Sequence, residues 1–148
     1  MKKTILISAI LIFFLSCSKK DNCNEEQLLT KHFEMEYGCP DTKFTLQINL
    51  TNDAKIIRST EEYDAQVSGS CHPAVDFSAY DLVIGRQSTG NYNDTILYDL
   101  KRTCPDKELL LTVDVIQSDL TMPSTVTYHA LIPKLGDEEK LNVMVNVK

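Results

Sequence analysis

The stretch "YDLVIGRQSTGNYNDTILYDLKR", Tyr80 to Arg102, contains two strand patterns joined by a segment rich in Gly and Asn. The patterns at Tyr80–Gln87 and Asp94–Arg102 are rich in aliphatic and aromatic residues, which favour strands. The "STGNYN" between them is typical of a turn. We therefore expect the two strands to fold back on each other as a hairpin.

Three more strand patterns follow, each after a polar, turn-forming segment. They are "LLLTVDVIQ" (109–117), "TVTYHALIP" (125–133) and "LNVMVNVK" (141–148). The last alternates Leu and Val with more polar residues, which is typical of a half-buried strand. Short strands that recur with turns between them predict a largely antiparallel sheet.

One helix is predicted ahead of these strands. Ser59-Thr60-Glu61-Glu62 matches a capping box, in which the Ser and Glu side chains bond free amides at a helix start. Tyr63 and Val67 lie four residues apart and form a narrow apolar stripe, and Gly69 ends the helix. The expected fold class is α+β, a mostly antiparallel β-sheet with one short helix packed on it.

The segment before this helix is harder to interpret. In "FEMEY" (33–37) the alternation of apolar and acidic residues favours a half-buried strand, with a short helical turn as the alternative. "KFTLQINL" (43–50) has a clear period of two and predicts a strand.

The N-terminus has the layout of a secretory signal peptide. Lys2 and Lys3 precede an apolar run that is too short to span a bilayer, which needs roughly 20 residues. Leu15-Ser16-Cys17 resembles a lipobox, the signal after which bacterial lipoproteins are cleaved. We expect residues 1–16 to be removed, Cys17 to carry the lipid, residues 17–30 to form a tether, and residues 31–148 to form one domain. The expected location is a bacterial envelope membrane, with the outer membrane favoured.

The charge of the chain excludes some partners. The formal net charge is −6, and it becomes −8 once Lys2 and Lys3 are lost with the signal. Nucleic-acid binding depends on clustered Lys and Arg, so we expect no nucleic-acid partner. Membrane attachment is expected through the lipid, because acyl chains bind strongly, at about 0.8 kcal/mol per buried methylene.

The four remaining cysteines predict two disulfides, since an even number in an exported domain is typical of disulfide bonding. Sequence alone leaves three pairings open. If the hairpin forms, Cys104 lies near Phe77 and hence near Cys71. This geometry favours Cys71–Cys104, which leaves Cys23–Cys39.

No catalytic or metal-binding motif is evident. His32, His72 and His129 are isolated in sequence and are expected to be structural or surface residues. Cys71-His72 is not expected to act as a thiol enzyme, because neighbours in sequence rarely face each other and a disulfide removes the nucleophile. We expect no catalytic residues, metal or cofactor.

From Ile56 onward the sequence resembles a known family. It has a helix containing "EEY", then Asp76-Phe77 before a strand, then Gly85 and Gly90, and a late "ALIPK" before the closing strand. This order is similar to the PrcB C-terminal-like domain family, named for an accessory subunit of a surface protease complex, and to small lipoproteins of Bacteroidota. The resemblance covers residues 56–148 and implies a binding or stabilising accessory domain rather than a catalyst.

The expected function is therefore non-enzymatic binding of another envelope protein, such as a protease or its complex. The expected contact loop contains Gln87, Asn91, Tyr92 and Asn93, since aromatic residues are enriched at binding hot spots. Binding of a small ligand or a glycan is the alternative, although Trp is absent and the chain has few aromatic side chains that could stack on sugar rings.

Overall fold

The computed structural model describes residues 24–104 and 108–148. The helices are α1 (Phe33–Tyr37), α2 (Thr42–Thr45) and α3 (Thr60–Gln66). The strands are β1 (Glu26–Leu28), β2 (Gln47–Ile48), β3 (Asp53–Ile57), β4 (Val67–Ser68), β5 (Tyr80–Thr89), β6 (Asn93–Arg102), β7 (Leu109–Gln117), β8 (Ser124–Pro133) and β9 (Leu141–Val147).

The strands form two facing sheets and one small ribbon. One sheet has the order β1-β6-β7-β9, the second has the order β3-β5-β8, and β2 pairs with β4. All pairs are antiparallel except β7–β9, which is parallel. The α+β fold class with a mostly antiparallel sheet is confirmed.

The two sheets enclose the first core. Strands β5 and β8 contribute residues such as Val83 and Ala130 to it, while β6 and β7 contribute residues such as Leu100 and Val113, and all four are fully buried. Face-to-face packing of apolar strand faces is the usual basis of a β-sandwich.

The opposite face of the β3-β5-β8 sheet carries a second core. Leu82, Ile84 and Leu131 lie beneath side chains of the helices and the small ribbon, including Phe33 and Tyr63. Strands β5 and β8 are thus covered on both sides. This explains their nearly continuous buried runs, since a strand with two buried faces has no polar alternation.

Helix α3 begins as the capping box predicts. The Ser59 hydroxyl accepts a hydrogen bond from the Glu62 amide at 3.2 Å. Glu62 accepts a bond from the amide of Arg58 rather than that of Ser59. The single-helix expectation is wrong, because two further short helices precede α3 in the described part of the chain.

The structure decides between the two interpretations of "FEMEY". It is helix α1, in which Phe33 is buried and Met35 is 76% exposed. The strand prediction for "KFTLQINL" is wrong over most of its length: α2 occupies 42–45, and the strand is limited to Gln47–Ile48.

The hairpin prediction is wrong. Strands β5 and β6 exist with nearly the expected bounds, but they lie in different sheets: β5 pairs with β3 and β8, whereas β6 pairs with β1 and β7. Residues 90–92 therefore cross from one sheet to the other. The segment "STGNYN" correctly predicted where the chain changes direction, but it did not predict which strand pairs with β5 or with β6.

The predicted Cys71–Cys104 pairing depended on that hairpin and is also wrong. Cys39 and Cys71 form a disulfide, with their Cα atoms 5.7 Å apart. Because Cys39 bonds Cys71, the expected Cys23–Cys39 pair is excluded as well. Cys104 is itself disulfide-bonded. Cys17 and Cys23 lie outside the described residues.

Candidate functional site

A cleft of about 200 Å³ opens between the short helices and the edges of the two sheets. Helices α1 and α2 form one wall, and strands β6 and β8 form the other. The lining residues are His32, Glu34, Thr42, Lys43, Thr95, Ile96, Tyr98, Thr127 and His129.

The backbone between α1 and α2 positions the helical wall. Gly38 ends α1 in the left-handed region at φ 69°, a conformation that glycine adopts without strain. The chain then turns so that the Thr42 hydroxyl donates a hydrogen bond to the Glu34 carboxylate. This bond links the two helices within that wall of the cleft, and Thr42 is fully buried.

His129 is the buried imidazole of this cleft. Its Nε2 accepts a hydrogen bond from the Phe33 amide at 3.1 Å, and it also lies 3.4 Å from a Glu34 carboxylate oxygen. These contacts require opposite protonation states at Nε2. The shorter contact comes from a fixed N–H donor, so we assign a lone pair to Nε2 and the proton to Nδ1. Nδ1 is buried and has no hydrogen-bond partner in the described chain.

Tyr98 lies opposite the imidazole. Its hydroxyl oxygen accepts a hydrogen bond from the His129 amide at 3.0 Å, and burial raises the pKa of Tyr98. The ring of His32 lies 5.6 Å from that of Tyr98, centroid to centroid. Burial lowers the pKa of His32, so its neutral form is favoured.

The arrangement does not match a hydrolytic triad. In a triad the imidazole lies between the nucleophile and the carboxylate. Here the Glu34 carboxylate lies between Thr42 and His129, and Thr42 is fully buried. Within residues 24–104 and 108–148, no group of three or more His, Cys, Asp or Glu side chains is placed to hold a metal ion.

An exposed apolar surface lies next to the cleft. We call Phe44, Tyr92, Leu120 and Met122 the apolar end surface. The rings of Phe44 and Tyr92 are 5.6 Å apart. The Tyr92 amide donates to the Leu120 carbonyl at 3.0 Å, and the Met122 amide donates to the same carbonyl at 2.8 Å. Backbone hydrogen bonds therefore fix the segments of Tyr92 and Leu120 side by side, and the ring contact places Phe44 against Tyr92.

Lys43 connects this surface to the cleft. Its ammonium lies 5.2 Å from the centroid of the Phe44 ring. It also donates to the carbonyl oxygens of Asn93 and Asp94, at 3.3 and 2.6 Å. A cation held in this way anchors α2 to the start of β6.

The four residues of the expected contact loop have different environments. Tyr92 belongs to the apolar end surface and is half-buried, and Asn91 and Gln87 are also half-buried. Asn93, in contrast, is fully buried, and its amide donates to the carbonyls of Thr95 and Ile116 at the β-bulge that begins β6. Asn93 therefore stabilises the strand start and offers no surface to a partner.

The isolated histidines also differ in environment. His129 is buried, as described, and His72 is exposed while stacking on Tyr63 with centroids 4.2 Å apart. Neither His72 nor Cys71 lines the cleft, and Cys71 is bonded to Cys39.

Sequence reasoning missed three of the four members of the apolar end surface. The alternation in "KFTLQINL" predicts a strand and places Phe44 on the same face as Leu46, Ile48 and Leu50. Leu120 and Met122 lie in "SDLTMPS" (118–124), where two large apolar side chains occur inside a turn-forming segment. Apolar residues in such a loop are a usable signal of an exposed contact surface.

No helix among the described residues is long and apolar enough to cross a bilayer. Comparison with protein-family models, with characterised proteins and with solved structures gives no match to this chain.

Proposed function

We propose that this protein is a lipid-anchored, non-enzymatic binding module of the bacterial envelope that docks another envelope protein through its apolar end surface. The observation that carries the proposal is the convergence of Phe44, Tyr92, Leu120 and Met122. Leu120 is 57% exposed and Met122 is 47% exposed. Contiguous exposed apolar side chains mark interaction sites more often than scattered ones do.

The surroundings of the surface indicate the chemistry of the partner. Asp94, two residues after Tyr92 at the start of β6, and Asp119, directly before Leu120, are both exposed, while the ammonium of Lys43 is already directed at backbone carbonyls. An apolar segment flanked by Lys or Arg complements such a surface. An anionic lipid headgroup does not, which is why a protein partner is favoured over direct insertion into a membrane.

The cleft supports binding rather than catalysis. Its buried imidazole holds the Phe33 amide, its tyrosine holds the His129 amide, and its threonine holds Glu34. Each of these polar side chains thus holds an element of the fold in place. The PrcB-like resemblance points in the same direction, and a protease or its complex is the proposed class of partner.

The anchor is proposed to be the lipid on Cys17. Metabolic labelling with a fatty-acid analogue tests it: label is expected on the normal protein and should be lost on Cys17→Ser. Label that persists in the variant would remove the anchor from the proposal. Fractionation of the same cells is expected to place the protein in the outer membrane.

Photo-crosslinking tests the docking surface. A photoreactive amino acid replaces Met122 in the full chain expressed in its native envelope, and the crosslinked residue of the partner is mapped. The expected product is one protein, linked through an apolar segment with basic neighbours. The same probe at Met144 is the matched control, since Met144 is 45% exposed and lies on β9 in the four-stranded sheet.

Substitutions give a second measurement. Leu120→Ser is expected to weaken capture of that partner, while Leu97→Ser, at 55% exposure on β6, should leave capture unchanged. Tyr92→Ala should also weaken capture at an unchanged melting temperature. Equal crosslinking from positions 122 and 144, or crosslinks to lipid alone, would contradict docking through this surface.

A further inference from the structure

A second cleft, of about 310 Å³, lies at the small ribbon, where residues of β2 and β4 line it together with Arg86 of β5. It shares no lining residue with the cleft that contains His129. Its volume is at the lower end of the range for ligand pockets, about 300–1,000 Å³. Its lining is mostly polar and consists of Gln47, Ile48, Asn49, Gln66, Ser68 and Arg86.

Arg86 is the distinctive residue of this cleft. Within residues 24–104 and 108–148, every other Lys and Arg side chain makes an ion pair or a hydrogen bond. The guanidinium of Arg86 makes neither, and its Nε is buried without a partner. A buried donor without an acceptor is costly, so an acceptor supplied from outside stabilises the folded protein.

The nearest acidic residue in register does not satisfy Arg86. Asp53 is directly opposite Arg86 on β3. One of its carboxylate oxygens accepts the Ala54 amide at 2.7 Å, and the two side chains form no ion pair. The guanidinium of Arg86 therefore remains available to a ligand. This is so although acidic residues outnumber basic ones in the chain, whose formal net charge is −6.

The other polar groups of the cleft are of two kinds. Gln66 is fixed at both ends, since it accepts from Lys55 at 2.8 Å and donates to Glu62 at 3.3 Å. The side chains of Gln47, Asn49 and Ser68 are exposed and have no hydrogen-bond partner in the described chain. One wall is thus rigid, and the other offers two amides and a hydroxyl.

We propose that this cleft binds a small carboxylate ligand rich in hydroxyl groups, of the sugar-acid class. The planar guanidinium of Arg86 matches a carboxylate with two parallel hydrogen bonds. The amides of Gln47 and Asn49 and the hydroxyl of Ser68 suit the hydroxyl groups of such a ligand. The site is independent of the proposed docking surface, because none of its residues belongs to that surface.

Titration of the full chain with glucuronate, followed by calorimetry and amide NMR shifts, tests the proposal. We expect saturable binding that perturbs residues 47–49 and 86, and no binding of glucose, which has the hydroxyl groups without the carboxylate. Arg86→Gln should weaken glucuronate binding roughly tenfold to a hundredfold, the usual range for losing hydrogen bonds to a charged group. Asp53→Asn, which removes the acid opposite Arg86 on β3, should strengthen it.

Lys140→Gln is the matched control. It removes one positive charge, as Arg86→Gln does, from an exposed side chain outside the cleft, and glucuronate affinity should not change. A melting curve for each variant separates loss of binding from loss of folding, and Asn49→Ala gives a second cleft variant at an exposed position. Absence of glucuronate binding, equal binding by Arg86→Gln, or tighter Arg86-dependent binding of inorganic phosphate would overturn the proposal.

Discussion

The ring of Tyr128 lies over Gly85 on the neighbouring strand, in the space that a Cβ atom at Gly85 would occupy. The Tyr128 hydroxyl continues across the sheet and donates to the Asp53 carbonyl on β3 at 3.3 Å. A single side chain from β8 thus spans β5 and reaches β3. This packing is possible because position 85 has no side chain.

Gly85→Ala is therefore expected to lower the free energy of unfolding by about 1–3 kcal/mol, the usual cost of overpacking a core. Chemical denaturation measures this value. Gly90→Ala is the matched control, because nothing lies within 4 Å of a Cβ at that position. Its effect should stay within about 0.5 kcal/mol. Similar values for both substitutions would contradict the close packing of Tyr128 on Gly85.

Asp81 is a fully buried carboxylate, and it should be sensitive to loss of its charge. It accepts from Lys134 at 2.7 Å and from the Leu135 amide at 3.1 Å. Asp81→Asn keeps the shape and removes the charge, so we expect a loss of about 1–3 kcal/mol in denaturation. Asp119→Asn, in an exposed loop, should be nearly neutral, and an equal loss there would show that the effect at Asp81 is not specific.

The Cys39–Cys71 disulfide closes a segment that contains α2, β2, β3, α3 and β4. Replacing both cysteines with Ser is expected to cost about 2–4 kcal/mol of stability, because the unfolded chain gains freedom. Mass spectrometry of an unreduced digest should recover the peptides of Cys39 and Cys71 joined. Recovery of Cys71 joined to Cys104 would instead restore the pairing that sequence alone favoured.

His32 is expected to make stability depend on pH. Burial lowers its pKa in the folded state, so the unfolded chain binds more protons as the pH falls below the ordinary value of about 6.5. Stability should therefore decrease as the pH falls from 7.5 to 5.5. Glu34 at 3.9 Å opposes this shift.

The comparison of His32→Gln with the normal protein isolates the contribution of His32, because the variant has no group that titrates at this position. As the pH is lowered, the free energy of unfolding of the normal protein should decrease more than that of the His32→Gln variant. NMR titration of the imidazole gives its pKa directly. A pKa at or above 6.5 would contradict the buried environment assigned to His32.

Local signals in the sequence predicted local structure well. The capping residue Ser59 located α3, and the apolar runs located β5, β6, β7, β8 and β9. Partner strands were not predicted, because pairing depends on which faces are buried and not on chain order. The sequence contained part of this information. The apolar runs of β5 and β8 lack alternation, which indicates that both faces of each strand are buried and that the two strands belong to the same central sheet.

The candidate sites were less predictable than the fold. Tyr92 was identified by its residue type, but its neighbour Phe44 comes from a helix that the alternation of "KFTLQINL" had concealed. Arg86 lies inside a strand pattern and has no distinguishing sequence feature. Its significance comes from the absence of a counterion among residues 24–104 and 108–148, which only the three-dimensional arrangement shows.

The parallel pairing of β7 with β9 has a consequence for how the chain folds. One neighbour of β7 is β6, which directly precedes it in the chain. Its other neighbour is β9, which follows β8, a strand of the opposite sheet. Until residues 141–147 have paired with β7, one edge of β7 has no partner and the core around Leu111 and Val113 lacks the side chains of β9 that pack against it. Such long-range closure is slow compared with hairpin formation. The polypeptide must therefore remain incompletely folded until β9 has paired with β7.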